Sequence, residues 1–329
     1  MTNAAVLLMA YGTPASSEDI ERYYTHIRHG RPPAPELLEE LTGRYDAIGG
    51  ISPLLDISSR QASALREKLD IPVVLGMKHA EPFIEDAIDH LVLAGIEDIV
   101  GLVLAPHYST MSIGQYENRV CEHLASIPRA PRFHMVRSWH NTPGYLSLLA
   151  RRVDDALREI PEDTLQRTQV VFSAHSLPES IVAGNDPYPE QLIETARSTA
   201  ILAGWPSWTT AWQSAGRTEA RWLGPDLLDV LRGLAAEGTE GVVICPCGFV
   251  TDHLEILYDV DIEARALAQE LGLAMVRTAS PNDDPLFIGT LSNVVRHHLD
   301  RLNGNDMCGC HGHCRTFDQI GTAHTKGGM

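Results

Sequence analysis

The sequence predicts an α/β protein with two similar domains, each a parallel sheet with helices on both faces. Three observations predict this class. Short, continuously apolar runs alternate with longer amphipathic segments, which is typical of parallel strands buried on both faces. The 329 residues, 44% of them hydrophobic, are enough for two domain-sized cores. Motifs of the first half return in the same order in the second half.

Three apolar runs in each half are the predicted strands. They are, in chain order, AAVLLMA, PVVLGM and IVGLVLA, followed by TQVVFSA, SWTTAWQ and GVVICPC. MAYGTP after the first run has a counterpart in SAHSLP after the fourth, and GLVLAPHYST is echoed by VVICPCGFVT. KHAEPFIEDAI and WLGPDLLDVL form a third pair, each a loop that opens a helix with acidic residues. The repeat predicts an N-terminal half at 1–145 and a C-terminal half at 146–302. We expect 303–329, which has Gly, His and Cys but little apolar content, to be a Cys/His-rich metal-binding tail.

The net charge of −17 argues against general binding to nucleic acid or to an anionic membrane, because the whole molecule would repel phosphates. An anionic ligand therefore needs a local basic site.

The N-terminal stretch MTNAAVLLMAYGTP has no cationic leader, and its apolar run is too short for a signal peptide or a membrane span. We expect a cytoplasmic protein whose six cysteines are thiols or metal ligands rather than disulfides.

Chemically active side chains follow several of the predicted strands. Tyr11, His107, His175 and the 247–255 segment all lie just after such strands. Ligands of open α/β sheets bind beyond the carboxyl ends of the strands. We therefore expect these residues to line an interdomain cleft between the two halves.

The stretch DHLEILYDVDIE (252–263) contains five carboxylates and no Lys or Arg. On a helical wheel Asp252, Glu255, Asp259 and Glu263 fall within about 80°, opposite an apolar stripe. An ordinary solvated face is the plain alternative. Against it, like charges at i, i+4 destabilise a helix, and a ladder of oxygens suits a hard divalent cation.

His175 is either a hydrogen-bonded structural residue or a proton acceptor, since imidazole exchanges protons near neutrality.

A basic cluster lies in RYYTHIRHGRPP (22–33), where three arginines and two histidines occur without an acid. The plain interpretation is a basic helix end, which the helix dipole favours. The functional interpretation is an anion site with arginine forks for carboxylates. TGRYDAIGGISPL follows and adds Arg44, Tyr45 and a glycine-rich apolar loop. A flat, apolar ligand edged with carboxylates would suit this surface.

With these motifs in order, the chain resembles the ferrochelatases, and most closely the coproporphyrin III ferrochelatases of Gram-positive bacteria and actinobacteria. The resemblance covers about nine tenths of the chain and rests on these segments: LLMAYGTP, IERYYTHIRHGR, RYDAIGGISPL, GMKHAEPFIEDA, LAPHYST, FSAHSLPE, GNDPYPEQL, WQSAGRT, WLGPDL and GFVTDHLEILYDVD. Several motifs in the same order carry far more weight than any one of them.

The resemblance implies roles for individual residues. His175 and Glu255 match the catalytic histidine and its acidic partner, both near the iron substrate. Asp259 and Glu263 match acids of an outer metal route, on a helix that is widened to π geometry in the family. The positions that match substrate contacts are Tyr11, Arg28, Arg44, Tyr45, Ser52 and Tyr116. Tyr11 is expected to face the opposite side of the macrocycle.

The implied reaction is the insertion of ferrous iron into coproporphyrin III to give coprohaem in haem biosynthesis. The implied protein is a monomer of two similar Rossmann-like halves without a stable membrane anchor. We also expect transient contact with other haem-pathway enzymes. The alternatives are a protoporphyrin IX ferrochelatase, a cobalt or nickel chelatase for another tetrapyrrole, and a non-enzymatic haem or iron carrier.

The tail motif CGCHGHC favours metal ligation over an inert segment because its thiols are so closely spaced. Zinc would be satisfied by three thiolates and a histidine, whereas a [2Fe-2S] cluster would need a fourth thiolate. The resemblance implies such a cluster on Cys308, Cys310 and Cys314, and we choose Cys121 as the fourth ligand. Cys245 and Cys247 compete for that place, with apolar strand packing as their plain alternative.

Overall fold

The computed structural model describes residues 3–216 and 218–302. The strands are β1 (Ala4–Ala10), β2 (Val73–Met77), β3 (Asp98–Val103), β4 (Arg132–Val136), β5 (Thr168–His175), β6 (Trp208–Gln213), β7 (Gly241–Cys245) and β8 (Ala274–Arg277). The helices are α1 (Ile20–Ile27), α2 (Pro35–Ala47), α3 (Leu54–Leu69), α4 (Ile84–Leu93), α5 (Ile113–Ala125), α6 (Pro143–Leu157), α7 (Ser180–Ala183), α8 (Tyr188–Ala203), α9 (Leu227–Ala236), α10 (Arg265–Glu270) and α11 (Pro285–Leu302). A π-helix spans Ile256–Ala264, and short 3-10 turns lie at Ser17–Asp19 and Leu165–Arg167.

The strands form two four-stranded parallel sheets with the same strand order. The first is β2-β1-β3-β4 and the second is β6-β5-β7-β8. All six predicted runs lie in these sheets, so the predicted α/β class and its repeat are confirmed. The strands β4 and β8 were not predicted. They are short edge strands, and polar residues interrupt their apolar pattern.

Contacts divide the described residues into two compact units, and each unit is discontinuous in sequence. The first contains 3–15, 55–139 and 283–302, and the second contains 16–54 and 140–282 apart from residue 217. Each sheet lies within one unit, but 16–54 and α11 are grouped across the predicted boundary at residue 145. The halves at 1–145 and 146–302 therefore stay a prediction about the repeat, and the tail at 303–329 lies outside the described residues.

The core of the first unit packs α4 and α5 against one face of its sheet. Leu7, Ile88, Ile99 and Val120 are fully buried there. This burial is what the continuously apolar strands predict, because helices cover them.

The core of the second unit includes the buried side of the π-helix. Ile256, Val260 and Ala264 are fully buried, together with Val171 of β5 and Ile244 of β7. These apolar residues recur at every fourth position and face the core. The acidic residues between them therefore face away from this core.

A close backbone contact places the loop after β7 beside the end of β5. The Gly248 amide donates to the Ser173 carbonyl at 3.0 Å, and a Cβ on Gly248 would lie 2.7 Å from the Ala174 Cα. Only glycine allows this approach without a shift of the backbone. The contact sets the start of the segment that leads to Glu255.

Among the helices of the described residues, none is both long and apolar enough to span a membrane.

Candidate functional site

His175 and Glu255 meet at the carboxyl edge of the second sheet. His175 is the last residue of β5, and Glu255 lies ten residues beyond the neighbouring β7 at the start of a helix. His175 Nε2 is 3.5 Å from Glu255 Oε1, and each side chain is about one third exposed. His175 Nδ1 donates to the Ser176 carbonyl, so Nε2 is the nitrogen turned towards the carboxylate. The structure thus brings the predicted catalytic pair together.

A second imidazole contacts the same carboxylate. His253 Nε2 is 3.5 Å from Glu255 Oε2, and His253 Nδ1 lies 3.0 Å from the Thr251 carbonyl oxygen. The His253 ring packs against Phe249, with ring centroids 5.0 Å apart. Sequence reasoning missed His253. The only signal was its place two residues before Glu255.

The pair is charged in its resting state. Burial alone would lower the pKa of His175, but the Glu255 carboxylate and the Ser176 carbonyl outweigh it and raise that pKa to about 9. Burial in turn opposes ionisation of Glu255, yet His175 and His253 hold its pKa well below the ordinary value. His175 is therefore an imidazolium beside a carboxylate, and it can accept a proton only after that arrangement is disturbed.

Asp259 lies one turn further along the π-helix and is 8% exposed. Its carboxylate accepts a hydrogen bond from Ser214 Oγ and lies 3.4 Å from Arg44 Nη1. Burial and the negative charge of Glu255 raise the pKa of Asp259 to about 6, although Ser214 and Arg44 oppose this rise. Ser214 has a φ of 60°, a left-handed conformation that is uncommon for serine. A carboxyl group of this pKa changes its charge close to neutral pH.

Glu263, the second acid of the predicted metal route, is partly exposed. Its charge contributes to the raised pKa of Asp259, so the two carboxyl groups lie within electrostatic reach of each other. Asp252 is the first acid of the predicted row of carboxylates. It is not part of such a row in the structure, because its carboxylate is paired with Arg277 at 3.2 Å.

The predicted substrate contacts in the second unit differ in exposure. Arg28 is partly exposed, and its buried Nε has no hydrogen-bond partner among the described residues. Arg44 stacks on the Tyr258 ring, with its Cζ 4.9 Å from the centroid. Tyr45 and Ser52 are buried, and the Ser52 hydroxyl accepts from the Leu54 amide. The two arginines are thus better placed for contact with an anionic ligand, while direct contact by Tyr45 and Ser52 stays a prediction.

In the first unit, Tyr11 and Tyr116 flank Lys78. Lys78 Nζ lies 5.8 Å from the Tyr11 ring centroid and 5.4 Å from that of Tyr116. Tyr11 is 44% exposed, whereas Tyr116 is buried. Burial and the nearby Arg119 lower the pKa of Lys78 to about 8. Lys78, which directly follows β2, is a further polar group at this strand edge that sequence reasoning missed.

The cysteines of the described residues are thiols with different exposure. Cys245 and Cys247 are fully buried, which agrees with strand packing. Cys121 on α5 is partly exposed, and burial together with Glu117 raises its pKa to about 11. Within 3–216 and 218–302 no cluster of three or more His, Cys, Asp or Glu side chains could hold a metal ion. Cys308, Cys310 and Cys314 lie outside the described residues.

The chain matches a family model and is similar to curated proteins. The family model described as "Ferrochelatase" matches residues 3–299. The coproporphyrin III ferrochelatase of Anoxybacillus flavithermus is 47% identical over 310 residues, covering 92% of this chain and 98% of that protein. The coproporphyrin III ferrochelatase of Geobacillus kaustophilus is 46% identical over 300 residues, covering 89% and 95%.

Two solved structures share the fold at low sequence identity. The sirohydrochlorin chelatase SirB from Bacillus subtilis, in complex with cobalt, has a TM-score of 0.57 and 11% identity, covering 92% of this chain and 98% of that chain. CbiX, the terminal enzyme for siroheme biosynthesis in denitrifying bacteria, has a TM-score of 0.51 and 14% identity, covering 89% and 98%. At these identities the likeness concerns the fold alone.

Proposed function

Because the chain belongs to the ferrochelatase family, we propose that it is a coproporphyrin III ferrochelatase, which inserts ferrous iron into coproporphyrin III. The observation that carries the proposal is the Glu255 carboxylate held between two imidazoles at the sheet edge, with the titratable Asp259 on the same helix. The choice of coproporphyrin III is supported by the names and high coverage of the relatives.

The reaction requires a group that removes protons. Ferrous iron replaces the two hydrogens on the pyrrole nitrogens, so two N–H bonds break, iron–nitrogen bonds form and two protons leave without any change of oxidation state. Imidazole is suited to accept them near neutral pH. His175 is the proposed acceptor of one proton at a time, each of which it passes to solvent, but its own proton must first be released.

The approach of ferrous iron would cause His175 to release its proton. The raised pKa of His175 depends on the negative charge of Glu255. A ferrous ion that approaches the Glu255 oxygens cancels this charge and repels the imidazolium, so the pKa of His175 falls. His175 then loses its proton to solvent, to which it is one third exposed, and becomes a base. Arrival of the metal thus prepares the base for the porphyrin.

Asp259 and Glu263 form the proposed route by which iron reaches Glu255. Carboxylate oxygens are good ligands for a hydrated divalent ion, and exchange from one to the next avoids full loss of its water shell. Asp259 must be ionised for this role, which its pKa of about 6 allows at neutral pH.

Arg28 and Arg44 are the proposed contacts for substrate propionates, since guanidinium forks suit carboxylates. The partly exposed Arg28 side chain can reach such a ligand from the surface. Tyr11, Tyr45, Ser52 and Tyr116 are proposed as further porphyrin contacts. A bound macrocycle that is bent out of plane would expose its nitrogen lone pairs, with the strain offset by contacts at the edge.

The deciding assay mixes the anaerobic protein with ferrous iron and either coproporphyrin III or protoporphyrin IX and follows the loss of free-base fluorescence. We expect many turnovers with coproporphyrin III and a lower kcat/KM with protoporphyrin IX. Stoichiometric loss would indicate a carrier, and faster use of protoporphyrin, cobalt or nickel would contradict the proposal. His175→Ala should abolish turnover but keep porphyrin binding, whereas His90→Ala, at an exposed histidine, should change neither.

We further propose a [2Fe-2S] cluster on Cys308, Cys310, Cys314 and Cys121. Cys121 suits the fourth place better than the fully buried Cys245 and Cys247, because a ligand in the tail must reach it. Its raised pKa is compatible with ligation, since a bound metal removes the thiol proton. The cluster would supply a redox-sensitive cross-link and takes no part in the iron-insertion steps.

The visible spectrum and metal content of the anaerobically purified protein test the cluster. Iron–sulfur charge-transfer bands that are lost in Cys121→Ser would support it. Zinc in place of iron and sulfide would indicate a zinc tail instead, and bands that persist in Cys121→Ser but not in Cys245→Ser would reassign the fourth ligand.

We also propose a monomeric cytoplasmic enzyme. Size-exclusion chromatography with light scattering and fractionation of the host cell test these two points.

A further inference from the structure

Arg277 ties the π-helix to the edge of the second sheet. It is the last residue of β8, and its Nε and Nη2 donate to the two oxygens of Asp261 at 2.8 and 2.9 Å. Its Nη1 lies 3.2 Å from Asp252 Oδ1. Asp252 also accepts from Ser280 Oγ and Asn282 Nδ2. One guanidinium therefore bridges a residue that precedes the helix and a residue in its middle.

The bridge is well shielded from solvent. The side chains of Arg277, Asp261 and Asp252 are 14%, 24% and 23% exposed. Two-pronged pairs between arginine and carboxylate that are partly buried hold their geometry better than single surface ion pairs. Asp261 has a second cation, Arg265, but this is 44% exposed and lies 3.6 Å away one turn along the same helix. Within 3–216 and 218–302, Arg277 is the cation that connects Asp261 to the sheet.

The position of Asp261 depends on the type of helix. An α-helix advances about 100° per residue and a π-helix roughly 80°, since π hydrogen bonds close over five residues instead of four. Over the six steps from Glu255 to Asp261 the two geometries therefore differ by about 120°. If the segment relaxed to an α-helix with its start unchanged, Asp261 would turn away from Arg277. The bridge can form only while the segment keeps its π geometry.

The same rotation would move the proposed metal route. Relative to Glu255, relaxation to an α-helix would turn Asp259 by about 80° and Glu263 by about 160°. Asp259 would then leave Ser214 and Arg44, which hold it in the π form.

We propose that Arg277 is a positioning residue for metal delivery, which holds Ile256–Ala264 as a π-helix and so keeps Asp259 on the side where it contacts Ser214 and Arg44. It also divides the acids of this stretch by function. Asp252 and Asp261 share the Arg277 guanidinium, while Glu255, Asp259 and Glu263 belong to the proposed metal route. The inference rests on the proposed iron insertion, because a metal route has meaning only for such an enzyme.

The test compares Arg277→Lys with Arg265→Lys. Both variants keep the net charge and alter a cation of Asp261, but only the first removes the fork that reaches β8. Loss of residues that orient metal ligands typically weakens metal affinity about 10- to 100-fold. We expect Arg277→Lys to raise the KM for ferrous iron by about tenfold or more, with kcat and the KM for porphyrin close to wild type. Arg265→Lys should leave all three unchanged.

Hydrogen exchange gives a readout that does not need turnover. The amides of Ile256–Ala264 should exchange faster in Arg277→Lys than in Arg265→Lys, because the segment is no longer held in one helical form. Asp261→Asn removes the acceptor side of the same bridge and should give the same two changes, which provides a second variant if Arg277→Lys folds poorly.

Wild-type exchange and iron KM in Arg277→Lys would overturn the inference, as would an equal effect of Arg265→Lys. A wild-type protein that inserts no iron would overturn the proposed function instead, and faster exchange in Arg277→Lys alone would still support the bridge.

Discussion

Replacement of Glu255 by glutamine should lower the pKa of His175. The raised pKa of His175 arises because the Glu255 carboxylate overcomes the effect of burial. Glutamine keeps the size of the side chain but removes the charge. The effect of burial is then less strongly opposed, and the pKa of His175 should fall.

The size of the fall follows from the 3.5 Å separation of His175 Nε2 and Glu255 Oε1. Two unit charges about 4 Å apart interact by about 1 kcal/mol in water and about 4 kcal/mol at the effective dielectric of a protein surface. Because both side chains are one third exposed, solvent screening favours the lower half of that range. At about 1.4 kcal/mol per pKa unit, the pKa of His175 should fall by about one to two units.

The assay is an NMR titration of the histidine Cε1–H signals in wild type and Glu255→Gln. The chain has 15 histidines, so the His175 signal is assigned as the one missing in His175→Asn.

The pH dependence of stability gives a second readout. A group whose pKa is raised by folding stabilises the protein fully below its unfolded-state pKa of about 6.5, and this is lost as pH rises through the folded-state value. The stability difference between wild type and Glu255→Gln should therefore shrink as pH rises towards about 9.

An unchanged His175 midpoint in Glu255→Gln would refute the charged resting pair, and with it the idea that iron prepares the base. Glu270→Gln is the matched control. It removes one exposed carboxylate at the end of α10 and should leave the His175 midpoint in place.

Three further outcomes are expected. Ser214→Ala removes a hydrogen bond that lowers the pKa of Asp259, so the acid limb of kcat/KM for iron should move from about pH 6 to higher pH, as measured in a pH–rate profile. Gly248→Ala should lower the free energy of unfolding by about 1–3 kcal/mol in urea denaturation, because its Cβ would lie 2.7 Å from a backbone atom of β5. Arg28→Met should raise the KM for coproporphyrin by about tenfold in steady-state assays, since one charge-assisted hydrogen bond contributes about 1.5–3 kcal/mol.

Matched substitutions separate these effects from general damage. Gly233→Ala in α9 adds a Cβ with no atom within 4 Å and should not destabilise the protein. Arg22→Met removes an exposed arginine that pairs with Asp19, and it should leave the KM for porphyrin unchanged. A pH profile of Ser214→Ala that overlays wild type would show that the Ser214 hydroxyl does not control Asp259.

The sequence predicted that the site lies at the carboxyl ends of strands, because the apolar runs that form the strands can be recognised locally. Apolar runs revealed β5 and β7, and parallel neighbours end at the same edge. That reasoning was sufficient to expect His175 and Glu255 near each other, and the 3.5 Å distance confirms it. The edge strands β4 and β8 were not predicted, because strands of four or five residues with polar members have little periodicity.

Partners that are distant along the chain could not be predicted in the same way. A helical wheel placed Asp252 in one row with Glu255 and Asp259, on the assumption of 100° per residue. In the structure Asp252 pairs with Arg277, and Asp259 pairs with Arg44, which lies 215 residues away in the sequence. His253 likewise showed its role only through its distance to Glu255.

The sequence by itself therefore predicted the α/β class, the repeat of motifs along the chain and the residues at the strand ends, because these follow from local periodicity and from the rules of parallel sheets. Only the tertiary structure decided that Asp252 pairs with Arg277, that Asp259 pairs with Arg44 and that the pKa of His175 is raised. Charge state depends on distance and burial, which are set where separate segments of the chain come together.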